Sequence, residues 1–291
     1  MRGTTSVALG LLPFVAALLP ISRDYNTVLF CEEFSGPTLD NSTWTYDLGT
    51  SYPGGPPQWG TWEVQTYTSS SSNIFVADGA LSIVPRNENG TWTSARIETK
   101  AAHDFSCPEG GKLLVESRIK LGDNPASTQA GIWPAFWLLG SAYRGVYTNW
   151  PSVGEVDILE SPNGEHRTWH TAHCGDGEGG PCDEPNGIGD STALLRGQWN
   201  TLAVEIDRSS KPERINWFVN HFPSFTLSEE DVGDEDAWRA LSADPKMVLL
   251  NVAVGGAFPD AIAEQETPDE NTKGGEGAAM QVDYVSVYST G

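Results

Sequence analysis

From Thr27 onward the chain is a series of short runs in which apolar and polar residues alternate, broken by Gly, Pro, Asn and Asp. A period of two over four to ten residues is the mark of strands half-buried against a core. The runs are Thr27 to Phe34, Ile74 to Val76, Ala80 to Pro85, Ala95 to Thr99, Lys112 to Leu121, Gly131 to Leu139 and Gly154 to Glu160. They continue with Thr168 to His173, Asn200 to Asp207, Ile215 to Val219, Met247 to Val254 and Gln281 to Tyr288. Asp78-Gly79 between two of these runs is a hairpin turn. One short helix is expected around Asp236 to Leu241, and residues 261 to 276, acidic and aperiodic, read as a long surface loop. There is no internal repeat and no linker. The expectation is one all-β domain, residues 23–291, of two stacked antiparallel sheets, the inner one curved into a cleft that admits a polymer at an internal position.

The run Gly154-Glu155-Val156-Asp157-Ile158-Leu159-Glu160 departs from simple alternation. Glu155 and Asp157 share a strand face while Val156 and Ile158 point the other way, and Glu160 is out of phase by one. A bulge near Leu159 restores it to the acidic face. Three carboxyl groups then crowd together, which raises at least one pKa and lets one acid stay protonated beside an ionised neighbour. Glycoside hydrolysis needs that pairing. The competing reading is a solvated acidic edge strand.

The surroundings favour chemistry. In Ile132-Trp133-Pro134-Ala135-Phe136-Trp137, residues Trp133, Ala135 and Trp137 share a face, and Trp150 precedes the acidic run. Three indoles beside carboxylates make a platform for the apolar C–H faces of sugar rings. His173 follows on the next strand, able to hydrogen-bond an acid or a hydroxyl, with His170 competing for that role. Phosphate-binding loops and His/Cys metal-ligand spacing are absent from the sequence.

Composition adds compartment and partner. The net charge of −22 disfavours nucleic acid, whose phosphates it repels, but leaves a neutral polymer unaffected. Residues 1–22, with Arg2 and the apolar stretch Val7 to Leu19, read as a secretory signal, which leaves a soluble, extracellular, monomeric protein with no membrane association. Four cysteines suit that compartment: Cys174 pairs most simply with Cys182, which leaves Cys31 with Cys107, the other two connectivities remaining open. Asn41 and Asn89 open glycosylation sequons.

Taken in order, several motifs resemble glycoside hydrolase family 16, particularly fungal secreted endo-1,3(4)-β-glucanases and laminarinases, over Val28 to Tyr288. They are Cys31-Glu32-Glu33-Phe34-Ser35-Gly36, Thr93 to Lys100, Trp133 to Trp137, Trp150-Pro151 with Gly154 to Glu160, His173-Cys174-Gly175 with Gly180-Pro181-Cys182, Asn251 to Gly256, and Val282-Asp283-Tyr284-Val285. The resemblance implies a β-jelly-roll sandwich and a retaining mechanism acting on β-glucan, with Glu155 as nucleophile, Glu160 as general acid/base and Asp157 tuning both. It implies substrate contacts from Trp133, Trp137, Trp150, Arg96 and His173, and weaker ones from Asn73, Asn251 and Phe258. No cofactor is implied for catalysis. A structural calcium ion, carried by some members, would fall near Asp283 and Glu32-Glu33. Two departures bear on linkage preference: Thr61-Trp62-Glu63 where such members have Asn-Asn-Glu, and Ala257-Phe258 where they have Asn-Trp. The alternatives are transglycosylation, a different β-glycan such as a galactan, and a glucan-binding lectin on the same fold.

Overall fold

The computed structural model describes residues 25–290; the expected signal segment lies outside the described residues. Two antiparallel sheets stack face to face. The site-bearing sheet has seven strands in the order Ile188–Ala193, Arg167–His173, Glu155–Glu160, Ile132–Gly140, Lys246–Val254, Arg96–Thr99 and Trp44–Tyr46. The backing sheet runs Phe222–Ser228, Arg214–Val219, Trp199–Asp207, Lys112–Leu121, Met280–Ser289, Ala80–Ile83 and Ile74–Ala77, with Thr27–Glu32 also paired to Met280–Ser289. This is the expected β-jelly-roll sandwich.

Alternation decides which side chains meet between the sheets. In Ile132–Gly140 the residues Ile132, Phe136 and Leu138 enter the core, against Val156, Ile158 and Leu159 of the acidic strand and Val248, Leu250, Val252 and Val254 of Lys246–Val254. The opposite face of the same strands carries Trp133, Ala135, Trp137, Glu155, Asp157 and Asn251 toward a groove. Lys246–Val254 is buried along its whole length, because its second face packs Met247 and Leu249 with Tyr52, Leu139, Tyr143 and Val153 under one wall of that groove. Fully burying each such aliphatic side chain contributes roughly 1.5–3 kcal/mol.

The Asp78-Gly79 hairpin is present, with Val76 opposite Leu81 and both turn residues at positive φ, as a two-residue primed turn requires. The helix forms over Glu235–Ser242, capped by the Asp234 carboxylate on the Ala237 N–H. Several expectations are corrected. Residues 261 to 276 are not wholly loop: a helix covers Ala257–Ala263, and the Asp260 carboxylate accepts bonds from both the N–H and the hydroxyl of Thr267, folding the following segment back. The edge strands Trp44–Tyr46 and Ile188–Ala193 carry too little apolar alternation to read from sequence. Cys174 and Cys182 are bonded, but Cys31 and Cys107 are free thiols. Cys31 is exposed beside the Ser286 hydroxyl, whereas Cys107 is buried with its Sγ toward the Ile206 carbonyl, so the two point to different environments.

Candidate active site

Glycine starts the acidic strand for a steric reason. Gly154 has φ +73°, and a Cβ there would sit 2.4 Å from the Ala240 carbonyl oxygen, so no side chain fits. The strand then bulges where the sequence requires it. Trp137 pairs with Asp157 but Phe136 pairs with Leu159, leaving Ile158 as the extra residue. The neighbouring strand registers the same slip, Asp157 opposite Thr171 and Glu160 opposite Trp169. Ile158 and Leu159 both reach the core, and Glu160 returns to the side of Glu155 and Asp157.

All three carboxylates line one groove with a cavity volume of about 180 Å³, together with Trp133, Trp137, Trp150, Arg96 and Asn251. The Trp133 indole N–H donates to Glu160 Oε1 at 2.9 Å, and Trp137 donates to Asn251 Oδ1 at 2.8 Å. Asn251 in turn donates to the Tyr67 hydroxyl at 3.2 Å. Arg96, paired with Asp47 at 3.1 Å, lies with its guanidinium over the rings of Trp59 and Trp137 at 4.6 and 4.9 Å. It therefore acts as the rigid cationic floor beneath an aromatic wall. Trp150 is the exposed aromatic of the set and hydrogen-bonds Glu155.

Register also separates the two histidines. His173 pairs with Glu155 across the strands and shares its face; its Nδ1 meets Glu184 Oε2 at 2.9 Å and its Nε2 lies 3.5 Å from Asp157 Oδ2. His170 points between the sheets, held by the Ile158 carbonyl at 2.9 Å and the Ser224 hydroxyl at 3.0 Å, and burial pulls its pKa down to about 4. It is a neutral structural histidine.

Burial pushes the Glu160 pKa up to about 7; the His173 charge and the Trp133 bond restrain that rise while Glu155 adds to it. Asp157 rises well above the ordinary carboxyl value through burial and through the nearby charges of Glu160, Glu155 and Glu184. Glu155 is also raised by burial, with His173 and Arg96 pulling the other way. Burial works against a charged His173, but the Glu184 hydrogen bond and the surrounding carboxylates outweigh it and hold its pKa above the usual value. The cluster thus shares protons among several groups, and its titration belongs to the set.

Of the residues expected at the cleft, His173, Asn73 and Phe258 do not line the groove, His173 standing instead beside Asp157 at 3.5 Å. Asn73 is buried in the first hairpin, donating to the Val84 carbonyl at 3.0 Å and to the Thr93 hydroxyl at 3.1 Å, so it braces the backing sheet and does not line the groove. Phe258 packs edge-on against Trp133 at 5.5 Å and Trp169 at 5.8 Å, behind the Glu160 end. Sequence reasoning missed Tyr52, Trp59, Glu63 and Tyr143, all of which line the groove. The first three come from an irregular segment far from the acidic strand, and Trp59 sits at φ +56°. Their only signal was the density of aromatic, Gly and Pro residues between Tyr52 and Trp62.

The side chains expected near a calcium ion already have protein partners. The Asp283 carboxylate is held by Arg118 at 2.7 Å, and the Glu32 oxygens accept from the Phe34 N–H and the Trp44 indole. Asp283 and Glu32 are thus engaged within the protein.

Residues 66–199 match the family model described as "XgeA-like, catalytic GH16 domain". A crystal structure of endo-1,3-β-glucanase from Streptomyces sioyaensis superimposes with a TM-score of 0.86 at 43% identity, over 90% of this chain and 96% of that one. A β-glucanase from Rhodothermus marinus is 30% identical over 90% of this chain and 84% of its own length. The chain belongs to glycoside hydrolase family 16. Glucan endo-1,3-β-glucosidase A1 of Niallia circulans is 28% identical, and the chain spans 37% of the length of that larger relative. As a family 16 glycoside hydrolase the protein has an all-β sandwich with an acid-lined groove, which is what the structure contains.

Proposed function

We infer that the protein is an endo-acting β-glucanase that cleaves β-1,3 or mixed β-1,3/1,4-glucosidic bonds within a polymer, with retention of configuration. The observation that carries this reading is the bulge at Ile158, which brings Glu155, Asp157 and Glu160 onto one face of an indole-walled groove. The named activities of the Streptomyces and Rhodothermus relatives support the substrate class.

The three carboxyl groups divide the work by environment. Glu160, raised to about 7, is the group able to hold a proton near neutrality and give it to the glycosidic oxygen. Glu155, next to His173 and Arg96, has the positive charges that favour its ionised form, as a nucleophile attacking the anomeric carbon requires. The resulting glycosyl-enzyme is released when Glu160, now a base, activates water. Asp157 stands between them, its carboxyl raised well above the ordinary value by burial and by the charges of Glu160, Glu155 and Glu184, so it shares in the protons of the set. Trp133 fixes Glu160 through its indole N–H, and Trp137, Trp150 and Arg96 supply the sugar-facing walls.

Secretion belongs to the same proposal, supported by the leader-like sequence and by the Cys174–Cys182 disulfide. The exposed asparagines Asn41 and Asn89 are open to glycosylation in a host that glycosylates its secreted proteins. A calcium requirement receives no support from the residues around Asp283.

Product profiling on laminarin, barley glucan, lichenan and agarose, with and without an oligosaccharide acceptor, tests the reading. Internal cleavage of β-1,3-containing glucans, lost in Glu155→Gln while polymer binding persists, is the expected result. Near wild-type turnover by Glu155→Gln removes the nucleophile assignment. Transfer to the acceptor as the main product, cleavage of agarose alone, or binding without cleavage points respectively to a transglycosylase, a galactanase or a lectin.

A further inference from the structure

Beyond the carboxylates' part in hydrolysis, one feature of this groove has the anatomy of a different kind of site. His173 turns its Nε2 toward Asp157 Oδ2 at 3.5 Å while its Nδ1 is fixed at 2.9 Å from the carboxylate of Glu184. Glu184 is itself immobilised: it is buried, and its other oxygen accepts the backbone N–H of Cys174 at 2.9 Å, inside the segment closed by the Cys174–Cys182 disulfide. A carboxylate behind an imidazole, with the distal nitrogen left free, is the usual support of a metal-ligating histidine. Facing that nitrogen is Asp157 Oδ2, buried and without any hydrogen-bond partner, an unusual condition for a carboxylate oxygen in a residue only 4% exposed. Glu155 completes the set: one ligand atom from each of Glu155, Asp157 and His173 lies within 4.8 Å of the other two.

We propose that Glu155, Asp157 and His173 form an inhibitory site for a first-row divalent cation of the zinc class, oriented by Glu184 and exclusive of glucan. Zinc bonds nitrogen and carboxylate oxygen at about 2.0–2.2 Å, so two ligands of a tetrahedral ion stand roughly 3.4 Å apart. The 3.5 Å between His173 Nε2 and Asp157 Oδ2 already meets that spacing. Closing Glu155 onto the same ion takes a small side-chain rotation. The fourth position opens to the groove, where water completes the shell. One nitrogen and two carboxylates select zinc, copper or cobalt over calcium or magnesium, which take oxygen ligands alone. The bound ion would consume the lone pairs of the nucleophile and occupy the floor on which the cleaved sugar rests, so metal and substrate exclude each other.

The test uses untagged full-length chain and zinc sulfate alone, followed by isothermal titration calorimetry, with cobalt absorption in the visible as a second readout. The expected result is one zinc per chain, a cobalt spectrum of four-coordinate intensity, and at least ten-fold weaker binding in His173→Ala. Glu184→Gln should weaken binding about 10–100-fold with the three ligands intact. His166→Ala, at an exposed histidine outside the groove, should bind as wild type. Circular dichroism and melting of each variant separate loss of a ligand from loss of the fold. Absence of zinc binding, binding indifferent to His173→Ala, or equal affinity for calcium overturns the proposal. None of these outcomes bears on glucan hydrolysis, which is read on metal-free protein.

Discussion

Trp217, in the backing sheet, donates its indole N–H to the backbone carbonyl of Asp157 at 2.8 Å, reaching across the sandwich to the residue before the bulge. The strand register shifts beside Asp157 toward both neighbours, and a side-chain hydrogen bond to its carbonyl pins the chain at that point. A fully buried tryptophan from the opposite sheet provides it. The core thus holds the bend that aims Glu160 into the groove.

Trp217→Phe removes that donor. The expected loss is about 1–3 kcal/mol of stability for a buried acceptor left without it, in addition to the packing lost with the larger ring. Urea unfolding should report it as a lower midpoint. Because the bend loosens, kcat should fall more than KM rises. An unchanged midpoint would mean that water satisfies the Asp157 carbonyl as well as Trp217 does.

The Trp133 bond to Glu160 favours the charged carboxylate, so removing it raises the acid's pKa further. In wild type the acid-catalysed step should decline as pH passes about 7, where Glu160 loses its proton. Trp133→Phe keeps the ring and deletes the N–H. Its alkaline limb should therefore move to higher pH, even though its maximal rate falls. A limb that moves to lower pH, or stays in place, would contradict the role given to this bond.

Stability should itself depend on pH, and the sign is fixed by the direction of the shifts. Burial raises Glu160 to about 7 and Asp47 to about 6, while Glu155 and Asp157 are raised as well. From the ordinary carboxyl range near 4 up to about 7 these carboxyls bind more protons in the folded protein than in the unfolded chain, so they make stability fall as pH rises. His170, lowered to about 4 by burial, works the other way over the lower part of that range but is outnumbered. His173, raised in the folded state, adds stability below its unfolded pKa that is lost as pH climbs through its folded value, which is the same sign as the carboxyls. Melting temperature should be higher at about pH 5 than at about pH 8, and Glu160→Gln should reduce that slope. A melting temperature that climbs over this range would refute the shifts.

Thiol counting distinguishes the observed pairing from a second disulfide. Two thiols should react with a chromogenic disulfide reagent in denaturant: Cys31 alone in the native protein, Cys107 only on unfolding. Burial, which pushes the Cys107 thiol up to about 12, adds chemical inertness to its inaccessibility. Replacing both Cys174 and Cys182 by serine opens a loop of eight residues' separation and should cost about 2–3 kcal/mol by the chain-entropy relation. It should also free Glu184, so its effect on the His173 environment should exceed that of the loop alone.

The sequence by itself determined the long central strands, the sandwich and the acidic face, though not the edge strands Trp44–Tyr46, Ile188–Ala193 and Phe222–Ser228, because strand alternation is a local property that two or three neighbours suffice to set. It also settled the bulge: a third carboxylate one position out of phase, flanked by Ile158 and Leu159, can join its companions only if both aliphatic side chains turn inward. The choice between His173 and His170, left open by the residues alone, was decided by strand register. What only the tertiary structure decided were the contacts made by chain segments distant in sequence and irregular in conformation. Tyr52, Trp59 and Glu63 reach the groove from a segment about 100 residues before the acidic strand, through backbone angles that no periodicity encodes. The retreat of Asn73 into a hairpin and the separation of Cys31 from Cys107 are of the same kind. Glu184 reaches His173 only because a disulfide-closed loop folds back, and Trp217 reaches Asp157 only because two sheets stack in one particular register. Local pattern fixes which face a side chain takes, and packing fixes what it finds there.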